Sequence, residues 1–420
     1  MLDISFIRQN PEKVKKAVES RNVDPKLVDD FLVIDEKWRN RKKEIDEKRA
    51  QQNKFEKEKN IEEARKIKEE IKKLEEILEK IEKERQIILY QFPNIPQEDV
   101  KIGKDEKENE VLREIGEKSK FDFQPKDYLN IAEKLDLIDT ERAAKVSGTR
   151  FGYIKGDLAR LEFAIVNYVF SFLRNYDFRA VVPPVIIKTE MMKGMGYFDT
   201  EKDKEERYIL EKDDMVLVGT AEQSIGPMHA GEIFEEEELP KRYVAFSSCF
   251  RREAGSYGKD TKGILRVHQF DKIEMFDFCQ PEKSQEEHRL LLNLVETMMQ
   301  EIKIPYRVVR LCTGDLAKPS AITYDIESWL PGQNNGTGEY RETHSISNVT
   351  DFQARRLNIK YKPKVKGLNL KTNEYVHMLN GTAFAIGRIL IAIIENYQTK
   401  NGTIKIPEVL QKYIGIDEIK

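Results

Sequence analysis

The chain has 420 residues, of which 35% are charged and 39% hydrophobic, and its 72 Lys and Arg nearly balance its 75 Asp and Glu. With 20 Phe, 16 Tyr and 2 Trp it is too aromatic to be wholly disordered, and its length suits two or three domains. No apolar run approaches the roughly 18 residues of a membrane span, and the start lacks a signal-peptide pattern. A cytoplasmic location without membrane contact is therefore expected.

The cysteines and the net charge narrow the choice of cofactors and partners. Cys249, Cys279 and Cys312 are far apart and form no C-x-x-C pair, so we expect buried reduced thiols, with neither a disulfide framework nor zinc. A net charge of −3 does not indicate a nucleic-acid partner. It does not exclude one either, because charges of one sign can be segregated along a chain.

A charged stretch over about residues 26–91 follows two short helical pieces around 6–19 and 26, and it contains neither Gly nor Pro. Apolar residues recur there mostly in steps of four and three, as in the seam of a coiled coil: Leu27, Phe31, Ile34, Trp38 and Ile45, then Ala64, Ile67, Ile71, Leu74, Leu78, Ile81 and Ile88. The pattern is lost over 54–60, and Asn60 is a typical N-cap for a second helix. The stretch therefore predicts an antiparallel helical hairpin, an arm about 45 Å long at ~1.5 Å per residue.

The periodicity alone leaves the purpose of this arm open. Such a hairpin can be a dimerisation coiled coil or a solvated spacer, and its exposed Lys and Arg equally suit contact with an RNA backbone. Pro93 and Pro96 end the second helix, and the polar stretch 101–120 is typical of a linker. We therefore expect an N-terminal domain over 1–105 and a second domain over 106–420.

The second domain has mixed secondary structure. Strands are predicted near 179–187, 242–250 and 265–278, with a loop at 252–263, and apolar helices near 158–173 and 383–396. Strand–loop–strand segments outnumber strand–helix alternations. This favours an α+β fold, with an antiparallel sheet and helices on its faces.

Several segments of this domain resemble, in the same order, the motifs of seryl-tRNA synthetases, a family of class II aminoacyl-tRNA synthetases. Motif 1 lies near 179–187, motif 2 at about 242–278 and motif 3 at about 380–396. The residues that match are Pro184; Phe250-Arg-Arg-Glu-Ala-Gly255, Gly258-Lys-Asp-Thr-Lys-Gly263 and Arg266-Val-His-Gln-Phe-Asp-Lys-Ile-Glu274; Asn380-Gly-Thr-Ala-Phe-Ala-Ile-Gly-Arg388; Thr220-Ala-Glu222; Arg341-Glu-Thr-His-Ser345, Ser347-Asn348 and Asp351-Phe-Gln-Ala-Arg355; and Glu141-Arg-Ala-Ala-Lys-Val-Ser-Gly148. The N-terminal hairpin matches as well. The resemblance covers effectively the whole chain and implies the zinc-independent form of the family, with a class II catalytic domain and a tRNA-binding arm.

The resemblance implies a reaction in two steps. L-serine and ATP give seryl-adenylate and pyrophosphate, and the seryl group then passes to the 3′-end of tRNA(Ser), with tRNA(Sec) left open as a second acceptor. Because a carboxylate must attack a phosphate, positioned cations and Mg²⁺ have to offset negative charge. The catalytic residues implied are Arg251, Arg266 and Arg388, and the magnesium ligands are Glu342 and Ser345.

The same resemblance implies the remaining substrate contacts. The ATP-binding residues are Arg251, Arg252, Glu253, Arg266, Phe270, Glu342, Thr343, His344, Ser345 and Arg388. The serine-binding residues are Thr220, Ala221, Glu222, Arg251, Glu274, Asn380 and Thr382. Thr220 and Glu222 would meet the ammonium group of serine, and Glu274 and Thr382 its hydroxyl. Buried acceptors for that hydroxyl discriminate against alanine, which leaves them without a partner.

Two segments depart from the family pattern. Thr382-Ala383 stands where Ser-Gly is expected, and Glu342-Thr343-His344-Ser345 where Glu-Ile-Ser-Ser is usual. Thr382 keeps a hydroxyl for serine, and we interpret His344 as a neutral change beside a metal ligand. We interpret residues 333–339 as a longer loop near ATP.

The resemblance further implies a homodimer whose tRNA is held by the N-terminal arm, since a short stretch follows motif 3. Two other functions stay open at this point. One is an amino acid ligase for a carrier protein, whose known examples lack the long hairpin. The other is an inactive RNA-binding paralogue, which would be expected to lose Arg251, Glu274, Glu342 or Arg388.

Overall fold

The computed structural model describes residues 1–254, 262–364 and 373–420. The chain divides into two compact units, Met1–Ile95 and Pro96–Lys420, so that residues 96–105 belong to the second unit. Within the described ranges, no helix is both long enough and apolar enough to cross a membrane.

The first unit consists of four helices: α1 (Ile4–Gln9), α2 (Pro11–Ser20), α3 (Lys26–Lys57) and α4 (Ile61–Gln91). The predicted helix over 6–19 is broken between α1 and α2, because Pro11 has no N–H to continue a helix but suits the first turn of the next one. Helices α3 and α4 form the predicted antiparallel hairpin. Asn60 caps α4 by accepting a hydrogen bond from the Glu63 N–H at 3.4 Å, and the seam includes the buried side chains of Ile45, Ile67 and Ile71.

A buried carboxylate joins three helices of this unit. The side chain of Asp35 on α3 is fully buried and accepts hydrogen bonds from Arg8 on α1, at 2.7 and 2.8 Å, and from Arg85 on α4, at 2.9 Å. The guanidinium of Arg85 also lies over the Trp38 ring, 4.6 Å from its centroid. Because a displaced partner would leave a buried charge unpaired, this cluster opposes a slip of one helix against another.

The second unit is built on an eight-stranded sheet. Its strands are β1 (Glu110–Ile115), β2 (Arg179–Val181), β3 (Lys241–Phe250), β4 (Gln269–Cys279), β5 (Tyr306–Arg310), β6 (Ile322–Leu330), β7 (Glu339–Asn348) and β8 (His377–Ala385). The spatial order is β1-β5-β6-β7-β8-β4-β3-β2. Strands β2 and β3 run parallel, and the other neighbours run antiparallel. The predicted α+β fold with an antiparallel sheet and an N-terminal helical hairpin is confirmed.

Three long helices, α5 (Gly156–Leu173), α6 (Ser284–Glu301) and α7 (Ile386–Asn396), share the main hydrophobic core with one face of the sheet. Strand side chains such as Ile273, Met275, Ile326 and Ile346 enter this core, which leaves the opposite face for other use. The shorter α-helices are Tyr128–Lys134, Thr140–Ser147, Thr189–Met195, Glu201–Glu205, Glu222–Ile225, Gln333–Gly336, Phe352–Leu357 and Glu408–Ile414. The minor strands are Ile138–Asp139, Tyr153–Ile154, Ile186–Lys188, Ile209–Leu210, Met215–Leu217, Ile233–Glu235, Lys360–Lys362, Glu374–Tyr375, Ile404–Lys405 and Glu418–Ile419.

Several sequence predictions of secondary structure in this unit need correction. The strand predicted over 265–278 begins at Gln269, and the segment 333–339, interpreted as a loop, contains the short helix Gln333–Gly336. The predicted linker 101–120 contains the edge strand β1, whose side chains are largely exposed and therefore show no apolar alternation. The predicted strand 179–187 is two strands in different sheets, because Pro183 and Pro184 provide no N–H for a ladder. The predicted helix 383–396 begins at Ile386, because β8 continues to Ala385.

Candidate active site

A cavity of about 420 Å³ lies in the second unit against strands β4, β7 and β8. Most of the predicted site residues line it: Thr220, Glu222, Arg251, Glu253, Arg266, Phe270, Glu274, Glu342, Thr343, Ser345, Asn380, Thr382 and Arg388. Segments far apart in sequence thus meet in one place. Residues 255–261, which include most of the predicted Gly258–Gly263 segment of motif 2, lie outside the described residues.

The pleat of β4 brings three of its side chains to the cavity. Phe270, Lys272 and Glu274 alternate with residues that point to the helical core, as expected for a strand with a period of two. Glu274 pairs with Thr382 on β8, next to an irregularity in the register at Ile273. A carboxylate and a hydroxyl from motifs 2 and 3 therefore face each other across two strands.

Glu274 belongs to a buried polar group at the bottom of the cavity. Its Oε2 lies 2.5 Å from the Lys272 Nζ, and the Thr382 hydroxyl donates to the same oxygen at 3.4 Å. Burial raises the pKa of Glu274, and the Lys272 ammonium opposes this rise. Lys272 belongs to motif 2, but the family resemblance gives it no role. Its position two residues before Glu274 on one strand was the signal for a shared face.

Glu222 is held by two neutral donors. The Tyr197 hydroxyl donates to its Oε1 at 3.0 Å and the Gln353 amide at 3.1 Å. Burial raises the pKa of Tyr197 well above its usual value, and the nearby Glu222 carboxylate raises it further. Neutral donors orient a carboxylate without offsetting its charge, so Glu222 suits a cationic group such as an ammonium. The resemblance gives neither donor a role: Gln353 lies in a segment that matches the family, and Tyr197 lies outside those segments.

Three arginines of the family motifs also line the cavity. The Arg251 Nε donates to the Gly219 carbonyl at 3.2 Å, and its guanidinium lies 5.4 Å from the centroid of the Phe270 ring. Arg266 pairs with Glu253 at 3.0 Å, and Arg388 pairs with Glu342 at 2.9 Å. Ion pairs of this kind keep guanidinium groups oriented, and an aromatic face beside them suits a planar base.

A β-bulge places the two predicted magnesium ligands on the same side of β7. Ser345 pairs with Asp325 and His344 with Ile326, but Glu342 pairs with Glu327, so Thr343 is the extra residue. In a regular strand Glu342 and Ser345, three positions apart, would point to opposite faces. Loss of solvent disfavours the charged form of Glu342, whose side chain stays 49% exposed, but the charges of Arg388 and Arg251 outweigh this effect and lower the pKa of Glu342.

The donor set fits Mg²⁺ in part. Carboxylate and hydroxyl oxygens are the ligands that Mg²⁺ accepts from proteins, together with phosphate oxygens and water. Among the described residues, no group of three or more His, Cys, Asp or Glu side chains is arranged around a metal position. Glu342 and Ser345 would therefore supply two of its ligands and leave the others to a bound phosphate and water.

Three predicted site residues do not line the cavity. His344 is buried, with its ring edge-on to Phe384 at 5.2 Å and its Nδ1 2.8 Å from the Thr343 hydroxyl oxygen. Burial lowers the pKa of His344 to about 3. The Arg252 guanidinium lies 5.6 Å from the centroid of the Tyr208 ring, and Ala221 is buried at the start of the helix Glu222–Ile225.

Comparison with known proteins gives consistent matches. Residues 1–96 match the family model described as the seryl-tRNA synthetase N-terminal domain, and residues 201–397 match the tRNA synthetase class II core domain (G, H, P, S and T). The serine–tRNA ligase of Dictyoglomus turgidum is 44% identical over 100% of this chain and 99% of its own length.

Two solved structures have the same fold over the full length. One is the seryl-tRNA synthetase of Pyrococcus horikoshii complexed with ATP, with a TM-score of 0.92 and 39% identity over 100% of this chain and 99% of that one. The other is the cytoplasmic serine–tRNA ligase of Naegleria fowleri in complex with AMP, with a TM-score of 0.89 and 37% identity over the same shares.

Proposed function

The chain belongs to the seryl-tRNA synthetase family, the ligases that join serine to tRNA with ATP, and we propose how its own residues carry out that reaction. The observation that carries the proposal is the convergence in one cavity of a buried Glu274–Thr382 pair, a carboxylate at Glu222 and the guanidinium groups of Arg251 and Arg388. The Glu274–Thr382 pair complements the hydroxyl of serine, and Glu222 complements its ammonium group. The two arginines complement the carboxylate of serine and the phosphates of ATP.

Serine binds at the end of the cavity formed by β4 and β8. The Glu274 carboxylate and the Thr382 hydroxyl receive the serine hydroxyl, because both are buried oxygen acceptors that line the cavity. Alanine has no hydroxyl to offer them, and a lost hydrogen bond to a buried group costs about 1–3 kcal/mol. The ammonium group binds Glu222, whose charge its two neutral donors leave available.

ATP binds at the arginine-rich end. The adenine ring stacks on Phe270, and Arg251 lies between this ring and the serine site, so its guanidinium reaches the serine carboxylate and the α-phosphate together. Attack of the carboxylate on the α-phosphorus then brings two anions together under a shared cation. Arg266 and Arg388 hold the β- and γ-phosphates and stabilise the pyrophosphate as it leaves.

Glu342 and Ser345 would hold Mg²⁺, which offsets phosphate charge when bound. The lowered pKa of Glu342 supports this role, because a charged carboxylate is the form that binds a cation. The second step needs no dedicated protein base, since the ribose hydroxyl of the tRNA 3′-end attacks an already activated acyl group.

The hairpin of α3 and α4 binds the tRNA, with tRNA(Ser) as the acceptor and tRNA(Sec) as a second acceptor to be tested. Supporting this, residues 1–96 match the N-terminal domain model of the family. The faces away from the seam carry exposed Lys and Arg, among them Lys43, Lys66 and Lys83. Exposed cations exchange their carboxylate partners for phosphates at little cost, which makes the affinity depend on salt.

We also propose a homodimer and a cytoplasmic location. Large apolar side chains of motif 1 and the preceding helix are exposed: Phe163 by 61%, Val182 by 80% and Ile186 by 40%. A second copy of the chain packed on motif 1 would cover these side chains, as apolar surfaces are covered at protein interfaces. The relative from Naegleria fowleri is named as cytoplasmic.

The test is amino-acid-dependent ATP–pyrophosphate exchange, with serine compared against threonine, alanine, glycine and cysteine. Exchange with serine alone is the expected result. Exchange with alanine or glycine would indicate the carrier-protein ligase instead. A folded protein without exchange would be the inactive paralogue.

A further inference from the structure

Arg207 is a cation that lines the cavity but belongs to none of the motifs that resemble the family. It follows the short helix Glu201–Glu205 and lines the cavity beside Tyr197, whose ring centroid is 5.7 Å from the guanidinium. Within the described part of the chain its side chain makes no hydrogen bond or ion pair, and its Nε is buried without an acceptor. Arg207 as a whole is half-buried, but a guanidinium nitrogen that is buried without an acceptor is unfavourable, and a bound anion would supply one.

The charges around Arg207 favour an incoming anion. Burial lowers the pKa of Arg207, and the positive charge of Arg251 acts in the same direction. Asp203 and Glu206 favour the charged form from a distance but do not pair with it. An anion placed between Arg207 and Arg251 would relieve both the desolvation and the repulsion.

Gly219 shows where such an anion would lie. A Cβ atom built at this position would be 2.7 Å from the Arg207 Nη1 and 3.4 Å from the Arg251 Cγ. The two arginine side chains therefore flank the same bare stretch of backbone, directly before Thr220 at the serine end of the cavity. This end also holds Glu222, which Tyr197 connects to Arg207. Arg266 and Arg388, which we assign to the phosphates, already have the carboxylates of Glu253 and Glu342 as partners.

We propose that Arg207 binds the carboxylate of serine together with Arg251, an inference that rests on the proposed function. In the first step one carboxylate oxygen forms a bond to the α-phosphorus, and the bond from that phosphorus to pyrophosphate breaks, with the electron pair leaving on pyrophosphate. The carboxylate loses its charge as it becomes an acyl phosphate. Arg207 therefore stabilises the bound serine more than the transition state, and its loss affects KM for serine more than kcat.

The experiment compares wild type with Arg207→Ala and Arg207→Lys in ATP–pyrophosphate exchange. We expect KM for serine to rise about 10- to 100-fold in the alanine variant, as for a lost hydrogen bond to a charged group, with partial recovery in the lysine variant. KM for ATP should stay near the wild-type value. Lys204→Ala is the matched control, because it removes a cation of the same segment that lies outside the cavity lining, and its kinetics should be those of wild type.

L-serinamide separates the carboxylate from the rest of serine. It keeps the ammonium and hydroxyl groups but has no carboxylate, so its inhibition constant against exchange should be the same in wild type and Arg207→Ala. Equal weakening of serine and serinamide would overturn the inference, and so would a rise in KM for ATP alone, which would assign Arg207 to the α-phosphate.

A second variant guards against a folding defect. Gly219→Ala introduces the Cβ atom that would displace Arg207 and should raise KM for serine in the same way. Thermal unfolding of each variant checks that the fold is intact. If wild type shows no serine-dependent exchange the proposed function fails, whereas unchanged KM for serine in Arg207→Ala overturns this inference alone.

Discussion

Lys48 and Glu70 on the hairpin, and Lys272 and Glu274 in the cavity, are ion pairs of the same kind in opposite surroundings. The hairpin pair is 2.7 Å apart with side chains 32% and 53% exposed, and the cavity pair is 2.5 Å apart with side chains 8% and 2% exposed. Water competes with the first pair, which therefore contributes little to stability. The second pair has lost its water, and each partner depends on the other.

The difference supports our proposal that one chain binds two polyanions in two ways. The exposed cations of the hairpin can change partners, which suits the many weak contacts that we propose there with an RNA backbone. The buried charges of the cavity are already fixed in place, so a small substrate meets groups that need no reorganisation. The first kind of site tolerates single substitutions, and the second kind does not.

Shortening the arm should have the largest effect and should separate the two units by function. Removing residues 43–77 and joining Lys42 to Leu78 by a short Gly-rich turn keeps the Asp35–Arg85 contact and removes most of the exposed cations. We expect ATP–pyrophosphate exchange to be unchanged and aminoacylation to fall below detection at micromolar tRNA, because the phosphate contacts are lost. Normal aminoacylation by this variant would show that the arm does not hold the tRNA.

Replacing Arg251 tests the cavity in the same way. Arg251→Ala removes the cation that we place between the serine carboxylate and the α-phosphate, and serine-dependent exchange should fall about 100- to 1,000-fold. Arg113→Ala is the matched control, since it removes a partly exposed arginine that pairs with Glu296 away from the cavity. Loss of activity in both variants to the same degree would attribute the effect to general charge or folding.

The sequence predicts the hairpin well, because a long helix that packs along one side has apolar residues at regular steps of three and four. It predicts strands with a buried face for the same reason. The sequence does not predict β1, because both faces of this strand are largely exposed and apolar and polar residues therefore do not alternate along it. It also fails at Ala385, where an apolar run passes from a strand into a helix without a change in composition.

The site divides along similar lines. Residues inside motifs, such as Arg251 and Glu274, could be named from the resemblance. The bulge at Thr343 turns Glu342 and Ser345 to one side of β7. It depends on the register with β6 and could not be predicted from the sequence. Arg207 and Tyr197 reach the cavity from a segment without a motif, so tertiary packing alone reveals them.

Replacing Asp35 tests whether a buried ion pair in the first unit is as sensitive to substitution as the buried pair in the cavity. Its carboxylate is fully buried, and Asp35→Ala leaves Arg85 without its anion. We expect a loss of about 3 kcal/mol in the stability of the first unit, at the low end for a buried pair because Arg8 and Arg39 are partly exposed. Hydrogen exchange of α3 and α4 measures this loss locally. The rate of ATP–pyrophosphate exchange should be unaffected. The control Glu79→Ala, on the exposed face of α4, should change neither hydrogen exchange nor ATP–pyrophosphate exchange.

The smallest effect concerns His344, which the family resemblance assigned to ATP and the structure places in the core. Its pKa of about 3 lies below the value of about 6.5 for an unfolded histidine, so between these values the unfolded chain binds a proton that the folded chain does not. The resulting loss in the free energy of unfolding is absent above pH 6.5 and grows as the pH falls, to about 2 kcal/mol at pH 5.

Thermal unfolding of wild type and His344→Gln between pH 7 and pH 5 should show a steeper loss of stability in wild type. Since His288 is buried and titrates similarly in both proteins, the difference isolates His344. Parallel pH profiles would contradict a buried, neutral His344. A raised KM for ATP in His344→Gln would show that the residue acts in the nucleotide site.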